Sequence, residues 1–156
     1  MLTFRLATRA DVPAILGLLA DDDVTRARAA AAGTGVVPEE ADAAVWAAFE
    51  AIDADPRNEL VVAEQDGAVV GTCQLTFTPS LSRGGAERMT VEAVRVRGDL
   101  RGHGAGRRMM AWALDRARER GCRIVQLTTD KQRTDAQRFY RSLGFEASHE
   151  GMKLTL

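Results

Sequence analysis

Cysteine and histidine are scarce in this chain of 156 residues, and long apolar runs are absent. Two cysteines, Cys73 and Cys122, are too few for a disulfide framework, so we expect free, buried thiols in a reducing compartment. The two histidines, His103 and His149, lack the spacing of metal ligands, and we expect no metal site. No apolar run approaches the ~20 residues that span a bilayer, and no signal peptide opens the chain. We therefore expect a cytoplasmic protein without a membrane partner.

Charge is distributed unevenly along the chain, although the net charge is only −1. Residues 1–78 carry 5 basic and 13 acidic side chains, whereas residues 79–156 carry 16 basic and 9 acidic side chains. Such a basic half can attract phosphate groups. It has few aromatic residues to stack on bases and no known nucleic-acid-binding module, so we expect no nucleic acid partner.

The hydrophobic periodicity predicts alternating strands and helices within one domain spanning residues 1–156. Strands are predicted at 3–7, 60–64, 68–77, 88–96 and 124–128, two short strands close the chain, and helices start near residues 8, 23, 38, 104 and 135. Asp66-Gly67 predicts a hairpin turn between the second and third strands. This order indicates an α/β fold of the mixed α+β kind, with one central, mostly antiparallel sheet flanked by helices.

The stretch from Val91 to Met110 combines a β-branched segment, a glycine-rich turn and the start of a helical pattern. Glycines let the backbone approach a ligand closely, and the first N–H groups of a helix have no partner within the helix. This combination predicts an anion-binding site at a helix N-terminus. Three arginines, Arg101, Arg107 and Arg108, are expected to add positive charge around it.

Two familiar phosphate-binding motifs do not fit this turn. A P-loop needs Gly, four residues and then Gly-Lys-Ser/Thr, and no such run occurs. A Rossmann fingerprint needs G-x-G-x-x-G directly after a strand, but the glycines here are at 102, 104 and 106, and the first lies six residues beyond Val96. In such a fingerprint Asp130 would be the acid that binds the ribose. Only 26 residues follow it, which are too few for the rest of a doubly wound sheet.

Two other blocks carry a family resemblance. Residues 101–106, Arg-Gly-His-Gly-Ala-Gly, match the signature R/Q-x-x-G-x-G/A, and residues 136–145 are similar to A-x-x-F/L-Y-x-x-x-G-F. On these blocks the chain resembles the GNAT superfamily of N-acetyltransferases. The resemblance implies the GNAT fold, acetyl-coenzyme A as co-substrate and a small-molecule primary amine that attacks the thioester directly. A homodimer is common in such proteins and is a further expectation.

The resemblance also implies which residues bind the cofactor. The pyrophosphate is expected on the amides of residues 102–107, and the pantetheine arm alongside the strand backbone at Val94 and Val96, where a bulge splays that strand from its neighbour. The expected cofactor-binding residues are Val94, Arg95, Val96, Arg101, Gly102, His103, Gly104, Ala105, Gly106, Arg107, Arg133 and Phe139. Arg133 stands where the family often has asparagine, so that contact is either replaced by charge on the phosphates, with Lys131 and Arg138 nearby, or lost.

Two residues are candidates for catalysis. Glu92 is a charged residue within an apolar strand, at the same parity as Val94 and Val96, and its position matches a glutamate that acts as general base in many of these enzymes. The alternative is a structural carboxylate with a partner. Tyr140, the single tyrosine of the chain, matches a tyrosine that protonates the departing thiolate. The alternative for Tyr140 is a core residue.

Other functions stay open at this point. The same fold serves as a non-catalytic acyl-CoA-binding module, and a protein N-terminus or lysine is another class of acceptor. Acidic residues of the N-terminal half favour a small cationic amine, because they raise the local concentration of cations; the alternative is that they keep alanine-rich helices soluble. These residues are Asp21, Asp22, Asp23, Glu39, Glu40 and Asp42.

Overall fold

A computed structural model describes residues 1–21 and 42–156 of the chain. Its strands are β1 (Leu2–Leu6), β2 (Asn58–Gln65), β3 (Ala68–Thr78), β4 (Arg88–Val96) and β5 (Ile124–Leu127). Its α-helices are α1 (Val12–Ala20), α2 (Ala43–Ala54), α3 (Ala105–Glu119) and α4 (Thr134–Ser142). Short 3-10 turns occupy Arg9–Asp11, Arg83–Gly85 and Gly98–Leu100.

The five strands form one sheet in the order β1-β2-β3-β4-β5. The first three pairings are antiparallel, and β5 alone runs parallel to its neighbour β4. The β2–β3 connection is the predicted hairpin, since Asp66 and Gly67 both adopt positive φ, 53° and 77°. The prediction of a mixed α+β fold with a mostly antiparallel sheet is confirmed.

Each face of the sheet has its own covering. The face that we call the α3 face carries the main core, where Leu75, Phe77, Met89 and Val91 pack against the apolar side of α3. On the opposite face, the α1 face, Val62 and its neighbours pack against α1. Alternation along each strand assigns side chains to these two faces. The α3 face is therefore mostly apolar, with one buried carboxylate, Glu59, that pairs with Arg116 of α3.

The predicted capping box lies at the 3-10 turn that leads into the first helix. Asp11 accepts a hydrogen bond from the Thr8 backbone N–H at 2.7 Å and pairs with Arg5 at 2.7 Å. The Arg5 guanidinium lowers the pKa of Asp11 to about 2. The predicted helix that begins near residue 23 and the helix start at residue 38 lie outside the described residues. Helix α2 begins at Ala43, behind Asp42, whose carboxylate accepts from the Val45 N–H at 3.0 Å.

The C-terminal prediction is wrong. No strand follows α4 in the described chain, and residues 145–156 have no regular structure. Their apolar side chains Met152, Leu154 and Leu156 are exposed, so no burial holds this segment against the edge of β5. Among the described residues, no helix is long and apolar enough to cross a membrane. Both cysteines are free; Cys73 is buried and Cys122 is half-buried.

Candidate active site

A bulge interrupts β4 at Ala93. Arg95 pairs with Thr72 and Glu92 pairs with Gln74, so β4 advances three residues while β3 advances two. The additional residue is Ala93, whose φ of 53° lies in the left-handed region that side chains other than glycine rarely adopt. The bulge expected from the family resemblance is therefore present, in the central strand.

The bulge coincides with the end of the β4–β5 pairing. Strand β5 is paired with Arg88 through Val91 only, and the pairing stops at Val91 and Leu127. Beyond this point β4 has β3 on one side and, among the described residues, no strand on the other. Two backbone carbonyl groups of this stretch accept from arginine side chains: Arg95 Nη1 donates to Val94 O at 2.8 Å, and Arg101 Nε donates to Val96 O at 3.2 Å. A strand edge of this kind can pair with an extended ligand.

The bulge also puts Glu92 and the valines that follow it on opposite faces of the sheet. Because Glu92 is opposite Gln74, and residues 72 and 74 share a face, Glu92 and Arg95 project from the α1 face. Val94 and Val96 instead pack against the core on the α3 face. The expectation that Glu92 shares their parity is wrong, since the additional residue shifts the alternation. Glu92 is exposed, and its carboxylate makes no hydrogen bond or ion pair with any residue of 1–21 or 42–156.

The glycine-rich turn forms an open cradle of backbone amides at the start of α3. Gly102 and Gly104 have φ values of 78° and 84°, and Gly104 is the N-cap residue of α3. The first backbone bond of this helix runs from Arg108 N to Gly104 O, at 3.0 Å. The amides of residues 105–107 precede it and have no acceptor in the described part of the chain. A Cβ at Gly102 or Gly104 would meet nothing within 4 Å. These features fit a phosphate group.

The arginines around this cradle have different roles. Arg101 links the turn to the rest of the protein, because its guanidinium donates to Val96 O and, at 3.0 Å, to Asp21 O. His103 lies exposed beside it, with Nδ1 3.0 Å from Arg101 O. Arg107 donates to Ser142 Oγ at 2.7 Å and so joins α3 to α4. Arg108 donates to Leu2 O at 3.2 Å, so its guanidinium reaches β1 and the expectation that it flanks the cradle is wrong.

Helix α4 brings two aromatic side chains to the same region. Phe139 Cζ lies 3.5 Å, and Val96 Cγ2 lies 3.7 Å, from the point where a Cβ on Gly106 would stand. Phe139 and Val96 thus both lie close to Gly106 at the start of α3. The Tyr140 ring lies between Phe139 and Phe145, with centroid separations of 5.2 and 5.9 Å.

Tyr140 is held in its protonated form. Burial raises the pKa of Tyr140, the Cys73 thiol acts in the same direction, and the charges of Arg95 and Arg133 act against them. No hydrogen bond from the described residues engages its hydroxyl, so the O–H remains able to donate to a ligand. Tyr140 packs against the core on the α3 face. It therefore approaches β4 from the side opposite to Glu92.

The basic residues around the start of α4 have partners within the protein. Arg133 is the N-cap residue of α4, and its N–H donates to Asp130 O at 2.9 Å. Lys131 pairs with Glu150 at 3.0 Å, and Arg138 pairs with Asp135 one turn earlier in the helix. Lys131 and Arg138 are therefore neutralised by carboxylates. The described residues contain no cluster of three or more histidine, cysteine or acidic side chains that could hold a metal ion.

Two residues of this site were not singled out by the sequence. Ala93 gives no signal, because alanine is neither a glycine nor a residue enriched at positive φ. Ser142 receives the Arg107 guanidinium and donates to Phe139 O at 2.6 Å, a contact between elements far apart in sequence. Both features arise from tertiary structure.

Known proteins share this architecture and parts of this sequence. A transcriptional regulator from Bacillus halodurans C-125, known from a crystal structure, is 44% identical, with a TM-score of 0.91 and full coverage of both chains. An aminoalkylphosphonate N-acetyltransferase from Salmonella typhimurium is 34% identical over 95 residues, 61% of each chain. A glucosamine 6-phosphate N-acetyltransferase from Trypanosoma brucei brucei is 32% identical over 90 residues, 58% of this chain and 59% of the relative.

The matches to these two enzymes thus span about three fifths of their length. Residues 23–145 match the model of the acetyltransferase (GNAT) family, which includes β4, the amide cradle and Tyr140. The chain belongs to the GNAT family of acetyltransferases.

Proposed function

We propose that this protein transfers an acetyl group from acetyl-coenzyme A to the primary amine of a small molecule. The observation that carries the proposal is the continuity of two features: the unpaired edge of β4 after the bulge and the amide cradle at the start of α3. An extended arm along the strand edge and a pyrophosphate on the amides match the two ends of one coenzyme A molecule. The cofactor supplies the acetyl group as a thioester.

The residues present fit this cofactor. The backbone of Val94, Arg95 and Val96 offers the strand edge, and residues 104–107 offer N–H groups at the positive end of the α3 dipole, whereas the His103 N–H donates to Leu100 O at 3.3 Å. Arg101 and Arg107 hold the turn and Phe139 packs beside it. Arg133 and His103 would add positive or polar contacts at the rim. Each charge-assisted hydrogen bond to a phosphate is worth roughly 1.5–3 kcal/mol.

Glu92 and Tyr140 approach β4 from opposite sides, which suits two opposite proton transfers. An alkylamine with a pKa of ~10.4 costs ~4.6 kcal/mol to neutralise at pH 7, so a base must accept its proton. We assign that role to Glu92, directly or through water, because its carboxylate is exposed and without a partner among the described residues. We assign proton donation to the sulfur of the leaving group to Tyr140, whose raised pKa keeps the hydroxyl protonated.

The relatives support an amine acceptor of low molecular mass. The two enzymes are named for aminoalkylphosphonate and for glucosamine 6-phosphate, both small primary amines. We further propose that residues 1–156 form one acetyltransferase domain, since a single sheet joins Leu2 to Leu127. The Bacillus halodurans protein bears the name of a regulator, so the alternative of acyl-CoA binding without turnover requires a direct test.

Turnover and binding separate these alternatives. Purified protein is mixed with acetyl-coenzyme A and a panel of small amines; free thiol release is followed, and acetylated products are identified by mass spectrometry. We expect amine-dependent thiol release with a matching product. Calorimetric binding of acetyl-coenzyme A without release for any amine would favour the non-catalytic module. Acetylation confined to a peptide N-terminus or lysine, included in the panel, would favour a protein acceptor.

A further inference from the structure

Two side chains on β4, Arg88 and Thr90, have no role in the activity proposed above, and they form one row with Glu92. Arg88, Thr90 and Glu92 occupy alternate positions before the bulge and project from the α1 face, because their partners Thr78, Thr76 and Gln74 alternate in step with them on β3. Alternate residues of a strand are ~6.6 Å apart, so the row spans ~13 Å from Arg88 to Glu92. One end is cationic and the other is anionic.

Arg88 has no counter-ion among residues 1–21 and 42–156. Its Nε is buried without a hydrogen-bond partner, and no ion pair joins it to a residue of the described chain. The adjacent carboxylate, Glu87, is paired with Arg120 at 3.2 Å. A half-buried guanidinium with an unmet donor is unfavourable unless a ligand supplies the acceptor. Arginine also matches phosphate and carboxylate oxygens in a two-pronged geometry.

Neutral polar groups continue the row across the sheet. Thr90 Oγ1 accepts from Gln126 Nε2 at 3.1 Å on β5, and Asn58 Oδ1 accepts from Thr76 Oγ1 at 3.0 Å and Gln74 Nε2 at 3.3 Å. These side chains are half-buried or exposed. This half of the α1 face is therefore a polar surface that starts at Glu92, beside the end of the β4–β5 pairing, and ends at Arg88.

From this arrangement we propose that the acceptor is an amine that also carries an anionic group, and that Arg88 is the residue that selects it. The amine lies at Glu92, where the acetyl group would arrive, and the phosphate, phosphonate or carboxylate lies several bonds away at Arg88. This inference rests on the proposed function. It differs from the expectation of a small cationic amine, which stays a prediction, because Asp22, Asp23, Glu39 and Glu40 lie outside the described residues and the Asp42 carboxylate caps α2.

Paired acceptors test the selection directly. Initial rates are measured for glucosamine 6-phosphate against glucosamine and for 3-aminopropylphosphonate against propylamine, with wild-type protein and Arg88→Gln. We expect wild-type kcat/KM to favour the anionic member of each pair, mainly through KM. Loss of one charged hydrogen-bonding partner should lower that ratio by about 10- to 100-fold in Arg88→Gln. Arg123→Gln, an exposed arginine beside β5 that donates to Arg83 O, is the matched control and should retain the wild-type ratio.

The outcomes separate this inference from the proposed function. Turnover of any amine establishes the acetyltransferase activity, whatever the ratio. An equal kcat/KM for both members of each pair, or a ratio that Arg88→Gln leaves unchanged, overturns the role of Arg88. If no amine is turned over, calorimetric titration of glucosamine 6-phosphate into wild-type and Arg88→Gln protein decides: tighter binding by wild type supports the anion site, and equal binding refutes it.

Discussion

The two halves of β4 have the same backbone direction but different surroundings. From Arg88 to Val91 the strand is paired on both sides, by β3 and β5. From Glu92 to Val96 it is paired with β3 alone. The first half therefore has its backbone groups satisfied and offers a ligand only its side chains. The second half retains an unpaired edge and so offers the backbone itself.

Under the proposed function, this difference assigns the cofactor and the acceptor to different kinds of recognition. Backbone amides and carbonyls are insensitive to side-chain replacement, which suits a cofactor that many related enzymes share. Side chains such as Arg88 and Thr90 can vary without changing the sheet, which suits an acceptor specific to one enzyme. Ala93 marks the boundary, because the bulge follows the last residue paired with β5 and puts Val94 and Val96 on the face opposite to Glu92.

The largest effect, on the affinity for acetyl-coenzyme A, is expected at the amide cradle, which follows the second half of β4. Gly104→Val places a β-branched side chain at a φ of 84°, directly over the N–H groups of α3. Loss of two charge-assisted hydrogen bonds would weaken binding of acetyl-coenzyme A by about 100- to 10,000-fold. Isothermal titration calorimetry measures this change.

Backbone strain is the obvious objection to that experiment, and Gly121→Val controls for it. Gly121 has a φ of 76° and open space around it, but it lies at the opposite end of α3. We expect both variants to lose similar free energy of unfolding and only Gly104→Val to lose affinity. Equal affinities in the two variants would remove the cofactor from this turn.

The next effect concerns Tyr140. Tyr140→Phe keeps the ring between Phe139 and Phe145 and removes only the hydroxyl, so the midpoint of thermal unfolding should change little. A positioned proton donor contributes about 100-fold or more to the rate, and we expect kcat to fall by about that factor with an unchanged KM for acetyl-coenzyme A. A variant with the kcat of the wild type would make Tyr140 a packing residue.

Glu92 is expected to show a smaller effect that depends on pH. Glu92→Gln should lower kcat/KM about tenfold near neutral pH and flatten the acid limb of its pH profile, because the amide cannot accept a proton. Glu119→Gln, at the exposed end of α3, is a control for the loss of one surface carboxylate. If the acid limb of Glu92→Gln coincides with that of this control, another group accepts the proton.

Periodicity predicted regular elements well and their interruption poorly. Strand β4 begins and ends where the sequence placed it, at Arg88 and Val96, and α3 starts within one residue of its predicted position. These boundaries follow from β-branched alternation, glycine spacing and helical periodicity, which are local. The bulge at Ala93 follows from how β4 meets β3 and β5, so no local pattern revealed it and Glu92 was assigned to the wrong face.

Long side chains set a second limit on prediction. Arg101, Arg107 and Arg108 were expected to surround one anion, but their guanidinium groups reach Asp21 O, Ser142 Oγ and Leu2 O. Arginine side chains can reach elements on several sides, and sequence position does not decide between them. The two expected C-terminal strands are absent from the structure. The residues after Phe145 are all exposed, so no buried contact holds them against the sheet.

The smallest expected effect tests the boundary between the two halves of β4. Ala93 is exposed and has a φ of 53°. This conformation lowers the stability of a protein by about 1–2 kcal/mol when the residue carries a side chain. Glycine at a strand position lowers stability by roughly 0.5–1 kcal/mol relative to alanine. Ala93→Gly should therefore raise the free energy of unfolding by about 0.5–1 kcal/mol. Ala68→Gly, an equally exposed strand position without positive φ, should lower it by a similar amount. Urea unfolding of both variants measures the difference. An equal loss of stability in Ala93→Gly and Ala68→Gly would show that Ala93 does not adopt a left-handed conformation and that β4 has no bulge there.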